Sequence, residues 1–387
     1  VASPYLATLP LSDHGLRWAW PEVDLAHPLD DGRAGVLVRS LEDTVISLGT
    51  DGPAWRRTFG PMVDGFADLA ESVMGPLIGV PRHPVALARF GPRALLPATA
   101  VAHRWHTDEA RALYAGVAAH AFARLDRPGT AGIGLLLTAS GHAVGWPVAI
   151  GGSAAVTDAL AGLLRSLGGR IETGSPVRSL DDLPPHRVAL FDVAPRAMAA
   201  IAGSRLPDRI ARAYARYRHG PAAFKVDLAV EGGVPWTAAP ARRSQPVHVG
   251  GTLEQVAAAE ADTVAGRMPE RPFLLVGQQH LADPSRSRGD VHPVWAYAHV
   301  PHGYDGDATE AVLAQIERFA PGFRDRVVAS HVADPAAIEA VNPNFVGGDI
   351  GTGRNDLLQV VSRPRPALDP YATGIPGVFL CSAATPP

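Results

Sequence analysis

The chain has 387 residues, 47% apolar and 19% charged, which excludes a disordered chain and leaves room for two domains. Lys and Arg total 35 against 38 Asp and Glu, a net charge of −3, so no global field draws the chain to nucleic acid or to an anionic membrane. A single cysteine, Cys381, excludes an internal disulfide and a cysteine-based zinc cluster and fits a reducing, cytoplasmic setting.

In chain order, Val36–Val38 and Val45–Leu48 read as strands around a turn. Asp51-Gly52-Pro53 opens a helix whose apolar face is Phe59, Met62, Val63, Phe66, Leu69 and Val73. Thr107 caps a second helix burying Leu113, Val117, Phe122 and Leu125. Residues 131–156 carry no Asp, Glu, Lys or Arg. They are too rich in glycine for a membrane span and are expected to form buried loops and turns. Ser153 starts a helix with a stripe of Val156, Leu160, Leu163, Leu164 and Leu167, stopped by Gly168-Gly169.

Arg170–Thr173 and Arg187–Asp192 then read as strands, with a short helix from Pro195. Residues 223–230 alternate, with Phe224, Val226, Leu228 and Val230 on one face and Lys225 and Asp227 on the other. That is the pattern of a half-buried antiparallel strand. Thr252-Leu-Glu-Gln255 forms a capping box. Strands follow at Phe273–Val276, Val294–Val300, Val327–Val332 and Gly377–Cys381, with a helix from Ala308 burying Val312, Leu313, Ile316 and Phe319. Cys381, in an apolar strand with no base nearby in sequence, reads as a core thiol.

The chain contains no GxGxxG, Walker A, HExxH, GxSxG or EF-hand loop. The pairs His103/His106 and His299/His302 have no evident third ligand, so no metal site is expected. The specific signal is a series of longer segments. Residues 142–177 run His-Ala-Val-Gly-Trp-Pro-Val-Ala-Ile-Gly-Gly-Ser, a helix, then Gly-Gly-Arg-Ile-Glu-Thr-Gly-Ser-Pro-Val. Later come Arg187-Val-Ala-Leu-Phe-Asp-Val-Ala-Pro195, Phe224-Lys-Val-Asp-Leu-Ala-Val, Val247-His-Val-Gly-Gly-Thr-Leu-Glu and Asp283-Pro-Ser-Arg. Trp295-Ala-Tyr-Ala-His-Val-Pro301, Asn342-Pro-Asn-Phe-Val-Gly-Gly-Asp-Ile350, Arg363-Pro-Arg-Pro-Ala-Leu-Asp-Pro-Tyr-Ala-Thr373 and Ile375-Pro-Gly-Val-Phe-Leu-Cys381 complete the series.

In this order, over nearly the whole chain, these segments resemble phytoene-desaturase-like FAD-dependent oxidoreductases. The nearest branch is the one of pyridine nucleotide-disulfide oxidoreductase domain-containing protein 2-like proteins, which shares its fold with the amine oxidases. The resemblance implies an α/β glutathione-reductase-type FAD/NAD(P)-binding fold interleaved with an antiparallel-sheet substrate domain. Residues 1–130 and 204–344 would form the substrate side, and 131–203 and 345–387 the cofactor side.

It also implies non-covalent FAD, with NAD(P), oxygen or a quinone as electron partner. The reaction implied is hydride removal from a C–H bond of a fairly apolar small molecule. The family's initial glycine-rich turn and its final glycine-rich loop are not in these residues, so the chain is expected to be a fragment that alone binds FAD weakly or not at all. The resemblance places cofactor contacts at Val177, Ala194, Pro195, Cys381, Ser382 and Ala383. It assigns Gly151 and Gly152 to a tight crossover rather than to FAD. No catalytic residue is implied; the candidates for a substrate pocket are Lys225, His248, Trp295, Tyr297 and His299, polar or aromatic residues on expected strands. The alternative is a non-catalytic interaction or scaffold protein on a cofactor-depleted version of the same fold.

Overall fold

A computed structural model describes residues 3–386. Its strands are β1 (Trp18–Ala19), β2 (Leu25–Pro28), β3 (Ala34–Leu37), β4 (Val148–Ala149), β5 (Ala189–Phe191) and β6 (Ala222–Glu231). They continue with β7 (Pro246–Val249), β8 (Leu274–Gly277), β9 (Val291–Val300), β10 (Val327–Ala333) and β11 (Val378–Leu380). Seven of them form one sheet in the order β10-β6-β9-β8-β7-β2-β3. All neighbours in it are antiparallel except β2 and β7, which are parallel.

Alternation along β6 and β9 gives this sheet two distinct faces. One carries Phe224, Val226, Leu228, Val294, Ala296 and Ala298, and packs on Val312, Ile316 and Phe319 of the helix Thr309–Phe319. The other carries His248, His299, Tyr297, Trp295 and Lys225. The helices Asp108–Ala119, Thr130–Val144 and Leu253–Val264 belong to the core that covers the β2/β3/β7 end of this face. The β6/β9 end remains open.

A third unit is the parallel pair β5/β11, with the helices Pro195–Ala202 and Asp208–Ala215 around Phe191, Met198, Tyr214 and Leu380. A small pair, β1/β4, packs beside the helix Ala154–Ser166.

Several expected elements differ: the helix opened at Asp51 breaks at Gly65 into Gly52–Asp64 and Phe66–Val73, and the helix capped by Thr107 ends at Ala119, before Phe122 and Leu125. Val45–Leu48 belongs to a helix, Leu41–Ser47, not a strand: Ser40 accepts from Asp43 N, and Glu42 and Asp43 occupy the first turn. Cap and dipole outweigh two β-branched residues there. Residues 130–144 form a helix rather than loops. Its glycines face neighbours; a Cβ on Gly134 would lie 3.0 Å from Ala118 Cβ, and one on Gly141 2.9 Å from Leu37. Arg170–Thr173 forms no strand, since β5 pairs only with β11 among the described residues and a strand without a partner leaves its backbone unpaired. No helix of the described residues is long and apolar enough to cross a membrane.

Candidate functional site

The open end of the sheet forms the floor of a cleft of about 690 Å³. Register places Lys225 opposite Tyr297 and Asp227 opposite Trp295, so four side chains from two strands project from one face. Lys225 Nζ donates to both carboxylate oxygens of Asp227. Trp295 and Tyr297 stack with ring centroids 6.0 Å apart and planes 2° apart. Burial and then the Glu260 carboxylate push the Tyr297 phenol well above its ordinary pKa, so it remains a hydrogen-bond donor at neutral pH. The facing wall comes from Trp18, Gly152, Val156 and Ile350.

Gly277 allows Trp295 to lie flat. The two residues are cross-strand partners, and a Cβ on Gly277 would sit 2.1 Å from the indole Cε2. Gly277→Val is therefore expected to displace the indole and destabilise the fold by about 1–3 kcal/mol through overpacking. Urea unfolding with tryptophan fluorescence measures both effects; an unchanged midpoint and spectrum would show that the indole has room elsewhere.

The Gly151-Gly152 turn, at φ +86° and +106°, closes the cleft against the loop after β8. Gly151 N donates to Asp283 Oδ2 at 2.8 Å. A Cβ on Gly152 would lie 2.2 Å from Arg286 Nη1. Gly152 thus serves a close approach of two chain segments, while Gly151, with nothing near its Cβ position, supplies the positive φ of the turn.

A second set of expected residues gathers at the carboxyl ends of β5 and β11. Ala194 is buried, and its N–H donates to Asn344 Oδ1 at 2.8 Å. Pro195 opens the helix behind it. Cys381 N donates to Phe191 O, and Ser382 and Ala383 follow on a small-residue ledge. Among the described residues, the N–H groups of Ser382 and Ala383 donate to nothing. Consecutive free N–H groups form a concavity suited to an anion. Cys381 is exposed, not a core thiol: β11 ends at Leu380, one residue before it. Val177 packs half-buried against the same unit.

Asn344 joins the two places. It holds Ala194, and Ile350, six residues on, lines the cleft. Six extended residues reach at most about 20 Å.

His248 and His299 lie on the covered half of the face and are fully buried. His248 Nε2 is 3.1 Å from His120 Nε2. His299 Nδ1 is 2.7 Å from Glu260 Oε1, and its ring stacks on Phe122 at 3.7 Å between centroids. Phe122 itself has φ +47°, which a phenylalanine holds only where its surroundings determine it. The structure therefore brings Lys225, Trp295 and Tyr297 together in the cleft and leaves His248 and His299 behind its wall. The sequence marked Phe122 only as a buried residue and Asp283 only within a longer segment, and Gly277 not at all, because what each touches lies far away along the chain.

No protein-family model matches the chain, and no curated protein matches it. Solved structures do. An oxidoreductase from Methanosarcina mazei superposes with a TM-score of 0.56 at 12% identity, over 99% of this chain and 80% of that one. Putrescine oxidase with putrescine bound gives 0.52 at 15% identity, over 96% and 78%. The PF1083 protein from Pyrococcus furiosus gives 0.51 at 14% identity, over 86% and 72%. At these identities the likeness shows the fold: a mixed α/β architecture with a mixed sheet, shared with known oxidoreductases.

Proposed function

We propose that the chain belongs to a FAD-dependent oxidoreductase that removes hydride from a C–H bond of a small molecule held in the Lys225/Asp227/Trp295/Tyr297 cleft. The observation that carries this reading is the connection of the two places. Asn344, bonded to Ala194 at the carboxyl end of β5, is tied by a segment of at most about 20 Å to Ile350 in the lining of a cleft with a flat aromatic wall. The oxidoreductases and the putrescine oxidase that share the fold support it. The order of motifs from Pro147 to Cys381 favours the phytoene-desaturase-like branch and the division at residues 130, 203 and 344, and the single cysteine fits a cytoplasmic enzyme.

The residues present fit one side of FAD. Ser382 and Ala383 would donate to its phosphate oxygens, Ala194, Pro195 and Val177 would border its adenosine side, and Trp295 and Tyr297 would face the flat ring system. When bound, the flavin accepts the hydride. The chain's own residues position the substrate. The stacked indole and phenol hold a planar or extended body. The Lys225 ammonium, neutralised by Asp227, donates to an acceptor on it. The turn at Gly151-Gly152, fixed to Asp283, forms one edge of the cleft.

Because Lys225, Asp227, Asp283 and Arg286 share the lining with Trp18, Trp295 and Ile350, the cleft suits an amphipathic substrate rather than a fully apolar one. FAD alone enters this reading, since no residues of the site speak for NAD(P).

The test is the visible absorption spectrum of the protein purified from its complete natural reading frame. The expected result is a flavin spectrum that dithionite bleaches and that Ser382→Pro, which removes an N–H, weakens at least tenfold in occupancy. A folded, colourless protein that FAD does not stabilise would overturn the reading and favour a non-catalytic scaffold.

A further inference from the structure

A second cavity, of about 620 Å³, lies on the other side of the aromatic wall. That volume is within the range of small-molecule sites. Phe122 faces this cavity and Tyr297 faces the cleft. Their rings are nearly parallel, 18° apart, at 6.4 Å between centroids, so one aromatic layer separates the two spaces.

The lining of the second cavity is cationic. Arg124, Arg127 and Arg354 border it, with Asp356 the only carboxylate. That carboxylate is already engaged: Arg218 Nη2 donates to it at 2.6 Å, and Arg354 Nε lies 3.6 Å from it. Asp126, outside the lining, holds Arg124 through two hydrogen bonds of 3.0 and 2.7 Å. The Arg127 side chain makes no hydrogen bond or ion pair among the described residues.

Two imidazoles, His219 and His302, stack at the back of the cavity at 6.2 Å and 17°. His219 Nδ1 faces the Asp349 carboxylate at 3.4 Å without a hydrogen bond. Phe122, Pro128, Pro221, Val264 and Pro301 give the lining an apolar part, beside the polar Thr130, Thr263 and Asn355. Cationic heads around an apolar floor are complementary to an anion on a hydrocarbon body, and guanidinium groups match the oxygens of carboxylate and phosphate.

We propose that this cavity binds the oxyanion group, carboxylate or phosphate ester, of an amphipathic small molecule. The site does not depend on flavin in the cleft. Only the Phe122 and Tyr297 rings stand between it and that cleft, so an occupant presses on the Phe122–Tyr297 wall.

The experiment is calorimetric titration of the protein at low salt with sodium octanoate, octyl phosphate, octylamine and 1-octanol. Octanoate or octyl phosphate is expected to bind at least tenfold more tightly than the amine and the alcohol, and 0.5 M NaCl is expected to weaken that binding. The tighter of the two anions identifies the head group, and either order supports the site. Arg127→Gln, at an exposed side chain with no partner, is expected to lower the affinity several-fold. Adding Arg354→Gln should bring the loss to tenfold or more, while Lys225→Met leaves it unchanged. Octanoate and octyl phosphate both binding no more tightly than octanol would overturn the proposal. So would anion binding that survives loss of both arginines, or that disappears with Lys225→Met.

Discussion

Lowering the pH from 7 to 4 is expected to unfold the protein through its buried imidazoles, before most carboxylates titrate. Burial holds His27 and His142 down to about 4, below the ordinary 6.5. His120 is lowered to about 4 and His248 further, by burial first and by neighbouring imidazoles second.

The geometry gives the same direction. His142 Nδ1 donates to Val38 O while its Nε2 accepts from Trp55 Nε1. A proton on Nε2 would face another N–H. His27 Nε2 donates to Gly251 O at 2.7 Å, and its bare Nδ1 has no partner. A Cβ on Gly116 would reach that Nδ1 at 2.6 Å and His248 Nδ1 at 2.7 Å, so both imidazoles pack closely on the backbone of the helix Asp108–Ala119.

Folded pKa values below the unfolded ones mean that between pH 6.5 and 4 the unfolded chain binds more protons. Stability therefore falls as pH falls. His27 and His142 would each contribute about 3 kcal/mol to that loss by pH 4, against a total stability typically of about 5–15 kcal/mol. Urea denaturation at successive pH values should give a stability that drops between pH 6.5 and 4, with a proton uptake above one. A flat profile down to pH 4.5 would refute this account of the core.

These histidines also show where the sequence stops being legible. Alternation along β6 and β9 assigned Lys225 and Asp227 to the face opposite Phe224 and Val226, and the structure agrees. Alternation reports which face a residue occupies, not what covers that face. His248 and Tyr297 share a row through Leu275, yet His248 is enclosed by the helix Asp108–Ala119 and Tyr297 lines a cleft. The difference lies in helices joined to the sheet by non-local packing.

The capping signals at Thr107 and Thr252 were legible because a cap is a contact within four residues. Val45–Leu48 and Arg170–Thr173 were misread for opposite reasons. In the first, a local cap at Ser40 outweighs β-propensity. In the second, a β-prone tetrapeptide has no strand to pair with. The ledge at Ala194 and Ser382 was reached through resemblance; its physical content, free N–H groups beside small residues, appears only once β5 and β11 lie side by side.

Breaking the His299–Glu260 pair on one side only is expected to cost more than removing both partners. Each residue is almost fully buried, with side-chain exposures of 1% and 0%. Among the described residues the bond between them, at 2.7 Å, is the only side-chain hydrogen bond either makes, and Glu260 Oε2 and His299 Nε2 have no partner. Glu260→Leu strands the Nδ1–H of His299, and His299→Phe strands a buried carboxylate. Each single change should cost about 3 kcal/mol, by the desolvation of a buried polar group or charge left alone.

The double change removes both polar groups. It also keeps an aromatic ring against Phe122, which now stacks at 3.7 Å, and beside Tyr297, at 5.8 Å. Its stability should return to within about 1 kcal/mol of the parent, a coupling of several kcal/mol in a double-mutant cycle. Urea unfolding of the four proteins measures it. Costs that simply add would mean that the two side chains act independently, and that the wall between the cleft and the cationic cavity is held by stacking alone.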